Sequence, residues 1–287
     1  MKKVYAITGA GGYLGSKISY YFKNLGHDVL ELRRDIPKER QSNNKIIKYN
    51  LNNKIDENLF NNVDVLVHCA YDFNPIRWEN IKKINVDGTL KLIRSAKKKK
   101  VKKIIFISSM SAYPNCASLY GKAKNLIENE LKNMQVIILK PGLIYGRELG
   151  GMMGALNKLV NKLKIIPLPN RGKQVFYLSH YEDLCILINN LVLEKIPYLN
   201  LPIIVANSKK YFFIDILKKL GEKNNKKNIF LSVNPKLIYY PLRVMELLGL
   251  KLGFKSDSFI SLINQDKYPN FKKQLKINYL FRDFDIL

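Results

Sequence analysis

The first twenty-five residues limit most what this chain can become. Val4 to Ile7 is a short apolar run that ends in Thr8-Gly-Ala-Gly-Gly-Tyr-Leu-Gly15, and Tyr13 to Leu25 follows with helical periodicity. Strand, glycine turn and helix in immediate succession are the context in which such a turn binds the pyrophosphate of a dinucleotide. Gly9 permits the tight turn, Gly12 lets the backbone approach the phosphates, and Gly15 lets helix and strand pack closely. The helix N-terminus then faces the phosphates with free N–H groups and a partial positive charge.

A second strand is predicted over Asp28–Arg33. An acid at its end would bind the ribose 2′-hydroxyl of NAD, and an arginine there accommodates the 2′-phosphate of NADP. Here the position holds Arg33, followed by Arg34, while Glu31 lies two residues earlier inside the strand and is the poorer candidate. NADP(H) is therefore the expected cofactor, with NAD(H) as the alternative. Further strands are read at Ile46–Tyr49, Val63–Cys69, Lys103–Ser108 and Gln135–Leu139, and helices at Asn80–Lys98 and Leu119–Lys132. The strand at Val63–Cys69 is almost continuously apolar, which suits a buried parallel sheet. Alternation of this kind predicts an α/β fold, a doubly wound parallel sheet flanked by helices.

Tyr120 and Lys124 stand one turn apart on the predicted helix 119–132, so both side chains share a face. A free tyrosine titrates near pH ~10 and is a poor base at neutral pH. A fixed ammonium stabilises the phenolate and brings that value toward the working range of an acid or base. Ser109, at the end of the preceding strand, can reach the same substrate oxygen. Such a set suits proton transfer at a carbonyl or alcohol and needs a partner that moves hydride. A Tyr-x-x-x-Lys spacing alone is common by chance, and the glycine turn supplies the context that gives it weight.

Taken together, TGAGGYLG at 8–15, VDVLVHCA at 63–70, NVDGT at 85–89, FISSMSAY at 106–113, YGKAK at 120–124 and LKPGLIYG at 139–146 occur in a familiar order and spacing. Over about its first half the chain resembles the extended short-chain dehydrogenase/reductase family of NAD(P)-dependent nucleotide-sugar epimerases, dehydratases and ketoreductases. The resemblance implies a Rossmann sheet, a nucleotide-sugar substrate, and Ser109, Tyr120 and Lys124 as the catalytic trio. It implies a cofactor surface made by Gly9, Gly12, Tyr13, Leu14, Gly15, Arg33, Arg34, Asn50, Leu51, Cys69, Ala70, Tyr71, Lys124 and Pro141. It also suggests a homodimer through a helix pair that includes the Tyr120 helix.

Departures from the family pattern narrow the reaction. Sugar 4,6-dehydratases carry an Asp-Glu pair just after the catalytic hydroxyl, where this chain has Met110 and Ser111, so a dehydratase is disfavoured. Fucose-synthase-like 3,5-epimerases carry a cysteine at the position of Ser111, and Cys116 is offset from it. The arginine that grips the nucleotide diphosphate in many members aligns with Phe176, leaving Arg171 or Lys173 as substitutes and Ser111 as a further substrate candidate. His180 matches a histidine common in this segment and is read as structural. A 4-ketoreductase using NADPH is the favoured reading. The alternatives are a 4-epimerase that retains its cofactor and a non-catalytic binding module.

Domain organisation is expected to follow from this. Residues 1–150, with a return segment at about 172–195, would form the NAD(P)-binding domain, and 151–287 a smaller C-terminal α/β substrate lobe. Helices are predicted at Gly150–Lys164, Tyr181–Leu193, Tyr211–Leu220 and Leu237–Leu250, with a strand at Ile203–Ala206. The helix at Leu237–Leu250, with Arg243 and Lys251, reads most simply as core of the smaller lobe and alternatively as a membrane-surface helix.

Composition decides less. No apolar run of the 287 residues approaches the length of a membrane span, and MKKVYAITGA reads as a strand rather than a signal peptide. Cys69, Cys116 and Cys185 lack metal-ligand spacing, so no metal is expected, and so sparse a set suits a reducing, cytoplasmic compartment. The net charge of +26 is spread along the chain without an aromatic-basic module, which argues against a nucleic-acid partner. It is read as a solvated face, with weak attraction to anionic membranes or substrates as the alternative.

Overall fold

A computed structural model of the protein describes residues 1–37, 45–196, 202–250 and 253–286. Seven strands, all of them predicted, form the main sheet in the order β3-β2-β1-β4-β5-β6-β11. They are β1 (Val4–Thr8), β2 (Asp28–Arg33), β3 (Lys45–Lys48), β4 (Val65–His68), β5 (Lys103–Ile107), β6 (Ile137–Pro141) and β11 (Ile203–Val205). Every residue of β4 is buried, as are four of five in β1 and in β5, which is why these strands read as continuous rather than alternating apolar runs.

The chain winds outward from β1 to β3, then crosses back to start β4 on the other flank of β1. This reversal is a topological switch point, where ligands of open α/β sheets bind beyond the carboxyl ends of the strands. Thr8 is in register with His68, so the glycine turn after β1 and residues 69–71 after β4 leave the sheet side by side.

Helices α1 (Tyr13–Asn24), α2 (Trp78–Ile81), α3 (Gly88–Lys98), α4 (Leu119–Leu131) and α6 (Tyr181–Val192) connect these strands. The single helix expected at Asn80–Lys98 is instead α2, a π-helical turn over Lys82–Asp87, and α3. The cause is visible at Asn85. Its buried amide faces inward, accepts a hydrogen bond from Asp72 N at 2.6 Å and donates one to Asp72 O at 2.9 Å. A wider turn accommodates that inward side chain, and such turns recur at functional sites.

Two compact units can be separated. The first comprises residues 1–108, 123–140 and 184–203, the second 109–122, 141–183 and 204–287. The second contains β7 (Leu143–Tyr145), β8 (Ile165–Pro169), β9 (Val175–Phe176), β10 (Leu178–His180), β12 (Tyr211–Phe212) and β13 (Ile229–Val233). Its helices are α5 (Gly151–Lys162), α7 (Phe213–Lys223), α8 (Lys236–Leu247) and α9 (Ser256–Ile263). The strands pair two by two, β7 with β10 and β8 with β13 in parallel, and β9 with β12 antiparallel. Tyr211 and Phe212, expected to begin a helix, are drawn into the β9 pairing, and α7 begins at Phe213. The unit's core gathers Met153, Leu156 and Val160 of α5, Ile216, Leu217 and Leu220 of α7, and Leu262 of α9.

The helix expected at Leu237–Leu250 forms as α8, but none of its residues is buried, so it is not core. Lys251 lies outside the described residues.

Candidate active site

The glycine turn has little room for anything but glycine at two points. Gly9 has φ +70°, and a Cβ there would lie 2.9 Å from the Ala70 backbone. A Cβ on Gly15 would fall well inside contact distance of the Gly9 carbonyl. Gly12 N donates to Gly9 O at 2.8 Å and closes the turn, and among the described residues no side chain caps α1, whose first residues Tyr13 and Leu14 are half-buried. An uncapped helix start behind an exposed glycine is a cradle that suits a phosphate group.

Beneath it runs a buried chain that the sequence reading did not name. Thr8 Oγ1 lies 2.6 Å from His68 Nδ1, and His68 Nε2 lies 2.9 Å from Thr89 Oγ1. Thr8 Oγ1 also accepts from Cys69 N and Ala70 N, both at 3.2 Å. Burial holds His68 far below its ordinary value, at about 3, with Lys124 adding to the effect, so the ring is a neutral bridge between β1, β4 and α3. Asn50 and Leu51 follow β3 in a turn, where the Leu51 carbonyl would lie 2.5 Å from a Cβ on Gly88. The Tyr71 ring lies 4.7 Å from the Phe73 ring, tilted by 54°.

Arg33 and Arg34 both have partners. Arg33 Nε is 3.1 Å from Glu31 Oε2, and its guanidinium donates to Ala10 O at 3.2 Å. Its side chain lies beside Gly11, with Nε 3.7 Å from where a Cβ would stand. Glu31 is buried and is also held by Lys23 Nζ at 2.6 Å. Arg34 pairs with Asp72 at 2.9 Å.

Lys124 is buried, donates to Ile107 O at 2.7 Å and lies 4.6 Å from the centre of the Phe106 ring. Burial brings its ammonium down from 10.5 to about 8, opposed by Cys69 and Glu128. Glu128, one turn further along α4, accepts from Ser108 Oγ and from Lys140 Nζ at 3.1 Å. Burial pushes this carboxyl up while Lys140 opposes the rise. The i, i+4, i+8 spacing of Tyr120, Lys124 and Glu128 was a signal available in the sequence.

In the second unit, Ser109 Oγ accepts from Ser111 N at 3.1 Å, and Ser261 Oγ donates to Ser111 Oγ at 2.9 Å. A Cβ on Gly121 would overlap the Ser111 carbonyl, so the 109–111 loop lies directly on the start of α4, next to Tyr120. Asp257, from α9, accepts from Leu119 N at 2.7 Å and Tyr120 N at 2.9 Å. This aspartate caps the Tyr120 helix from far along the chain, and no local signal could reveal it. Asp257→Ala should destabilise the protein by about 1–2 kcal/mol, the usual effect of a lost helix cap, in denaturant unfolding.

The remaining expected residues are dispersed. Pro141 is buried at the end of β6, and its carbonyl accepts from Met110 N at 2.9 Å. Arg171, at φ 54°, and Lys173 are exposed on the turn before β9. Phe176 is buried in the core with its ring 5.8 Å from Phe213. His180 stacks on Tyr181 at 5.0 Å and accepts from Glu182 N at 3.3 Å, a packed position.

The family model for the NAD dependent epimerase/dehydratase family matches residues 5–195. The chain belongs to this family. Among curated proteins, an uncharacterized protein of Mycobacterium bovis is 30% identical over 105 residues, 36% of this chain. The chain spans only 12% of that relative's length. The mitochondrial protein FMP52 of Kluyveromyces lactis is 28% identical over 166 residues, 55% of this chain and 74% of that protein. Among solved structures, MoeE5 in complex with UDP-glucuronic acid and NAD superposes with a TM-score of 0.69 at 16% identity, covering 96% of this chain and 97% of that one. The ADP-L-glycero-D-manno-heptose-6-epimerase of Helicobacter pylori superposes at 0.67 with 19% identity, covering 90% and 94%. At these identities the likeness concerns the fold, and this epimerase/dehydratase family member shares the doubly wound sheet of both.

Proposed function

We propose that the protein is an NAD(P)-dependent oxidoreductase of nucleotide-linked sugars, acting as a 4-ketoreductase. The observation that carries the reading is the close seating of the Ser109–Ser111 loop on α4 at Gly121, in a chain whose glycine turn fits a dinucleotide. Structural neighbours complexed with UDP-glucuronic acid and NAD, and epimerases of sugar nucleotides, support the substrate class.

In this reading the nicotinamide cofactor, when bound at the glycine turn, supplies the hydride. Tyr120 Oη carries the proton to or from the sugar oxygen. Ser109 Oγ already accepts from Ser111 N, which leaves its O–H to donate to the same oxygen. Lys124 stabilises the tyrosinate and holds the nicotinamide ribose. Its hydrogen bond to Ile107 O fixes the ammonium at the end of β5. Substrate contacts are assigned to Ser111, Arg171 and Lys173, and the chain is expected to act as a homodimer in the cytoplasm.

Arg33 beside Gly11 supports NADP(H) as the preferred cofactor, because a guanidinium there can take a 2′-phosphate. Glu31 and Asp72 already engage the two arginines, which favours NAD as the second reading and, with it, a 4-epimerase that retains its cofactor. Charge-assisted hydrogen bonds contribute about 1.5–3 kcal/mol, so NADP should bind at least roughly tenfold tighter than NAD in a fluorescence titration. Arg33→Asp should invert that order. Equal or tighter NAD binding by the wild type would select the second reading.

A further inference from the structure

We propose that the outer face of α8 docks on an anionic lipid bilayer. An amphipathic helix of a globular domain turns its apolar stripe toward the core. α8 does the reverse. Leu237 (70%), Tyr240 (58%), Val244 (54%) and Leu247 (64%) are exposed, and Leu248 (73%) continues the stripe just beyond the helix end. The spacing of 237, 240, 244 and 248 is a helical repeat, so these side chains form one stripe along a helix about 18 Å long. Ile229 and Leu231 of β13, the strand immediately before α8, are exposed as well.

The opposite side of the helix explains why the stripe faces out. Glu246 accepts from Ser256 N at 2.7 Å and Ser256 Oγ at 2.5 Å, and its side chain is only 5% exposed. Arg243 reaches the same carboxylate at 3.5 Å. This polar anchor ties α8 to the start of α9 and commits the apolar side to solvent.

Charge selects the occupant. From 226 to 256 the sequence carries Lys226, Lys227, Lys236, Arg243, Lys251 and Lys255 against a single acid, Glu246, which is already engaged. An apolar stripe set in a cationic segment is the composition of a helix that lies in an anionic membrane interface. A second copy of the chain fits this face worse, because it would set the same six cations of 226–256 against one another. Among the described residues no helix is long and apolar enough to cross a membrane, so the contact is a surface one.

The test is sedimentation of the full chain with vesicles of phosphatidylglycerol mixed with phosphatidylcholine, and with phosphatidylcholine alone. Binding is expected to the anionic vesicles and should weaken with added salt. Leu237→Glu/Val244→Glu/Leu248→Glu should bind at least about a hundredfold more weakly, with circular dichroism and melting unchanged because the sites are exposed. Lys226→Glu/Lys227→Glu/Lys236→Glu should lose at least about tenfold. Wild-type binding that either variant retains would overturn the proposal. So would no binding to phosphatidylglycerol, or a wild-type dimer that the apolar variant dissolves while vesicles bind neither protein.

Discussion

Tyr120→Phe should turn over roughly 10²–10⁴-fold more slowly than the wild type, the range that general acid–base catalysis supplies, while binding cofactor normally. The substitution keeps the ring and removes only the hydroxyl. Tyr120 is half-buried at the start of α4, where Asp257 holds its backbone N–H and Gly121 holds the Ser111 loop against the helix. Both contacts are made by backbone atoms of α4, which the substitution keeps. Steady-state turnover beside a cofactor titration separates the two effects. Turnover within a few-fold of wild type would remove Tyr120 from the chemistry.

Lys124→Met should lose turnover to a similar extent and also weaken cofactor binding, because in the proposed mechanism the ammonium serves both the tyrosinate and the ribose. Its effect on stability should run the other way. The drop of the ammonium from 10.5 to about 8 corresponds to roughly 3 kcal/mol against the charged folded form. The hydrogen bond to Ile107 O and the Phe106 ring offset part of the cost of burying it. Methionine removes the charge and keeps the apolar length, so near pH 7 the variant should unfold at the same or higher denaturant concentration.

The pH dependence has a definite sign. Between about 8 and 10.5 the unfolded chain still holds the Lys124 proton and the folded chain has released it. Stability from this residue therefore rises with pH through that window and is absent below it. Comparing wild type with Lys124→Met at pH 7 and pH 10 isolates residue 124. A wild-type advantage that shrinks as pH rises would contradict the argument.

Most of the first unit was legible because its signals are local. The glycine turn and the β-branched runs of β4 and β5 each lie within a dozen residues, as does the Tyr120–Lys124 spacing, which begins in the second unit. What escaped reading depends on contacts distant in sequence. Asp257 caps a helix that begins at Leu119, and His68 bridges Thr8 and Thr89. Arg33 was legible as a cation, but its pairing with Glu31 shows only when both side chains are placed. The second unit was read least well. Its strands pair only two by two, so β13 and β9 lack the long apolar runs of a central sheet. α8 has the composition of a core helix, and only the Glu246 contact with Ser256 shows which side turns inward.

The most direct measurement is nicotinamide absorbance during incubation of the wild type with NADPH and a panel of nucleotide-linked 4-keto sugars. One alcohol formed for each NADPH consumed is the expected result, with Tyr120→Phe slower by at least about a hundredfold under the same conditions. Interconversion of two 4-epimers without a net change in absorbance would assign the epimerase instead. Silence on the whole panel, with cofactor demonstrably bound, would contradict a catalytic role for Ser109, Tyr120 and Lys124.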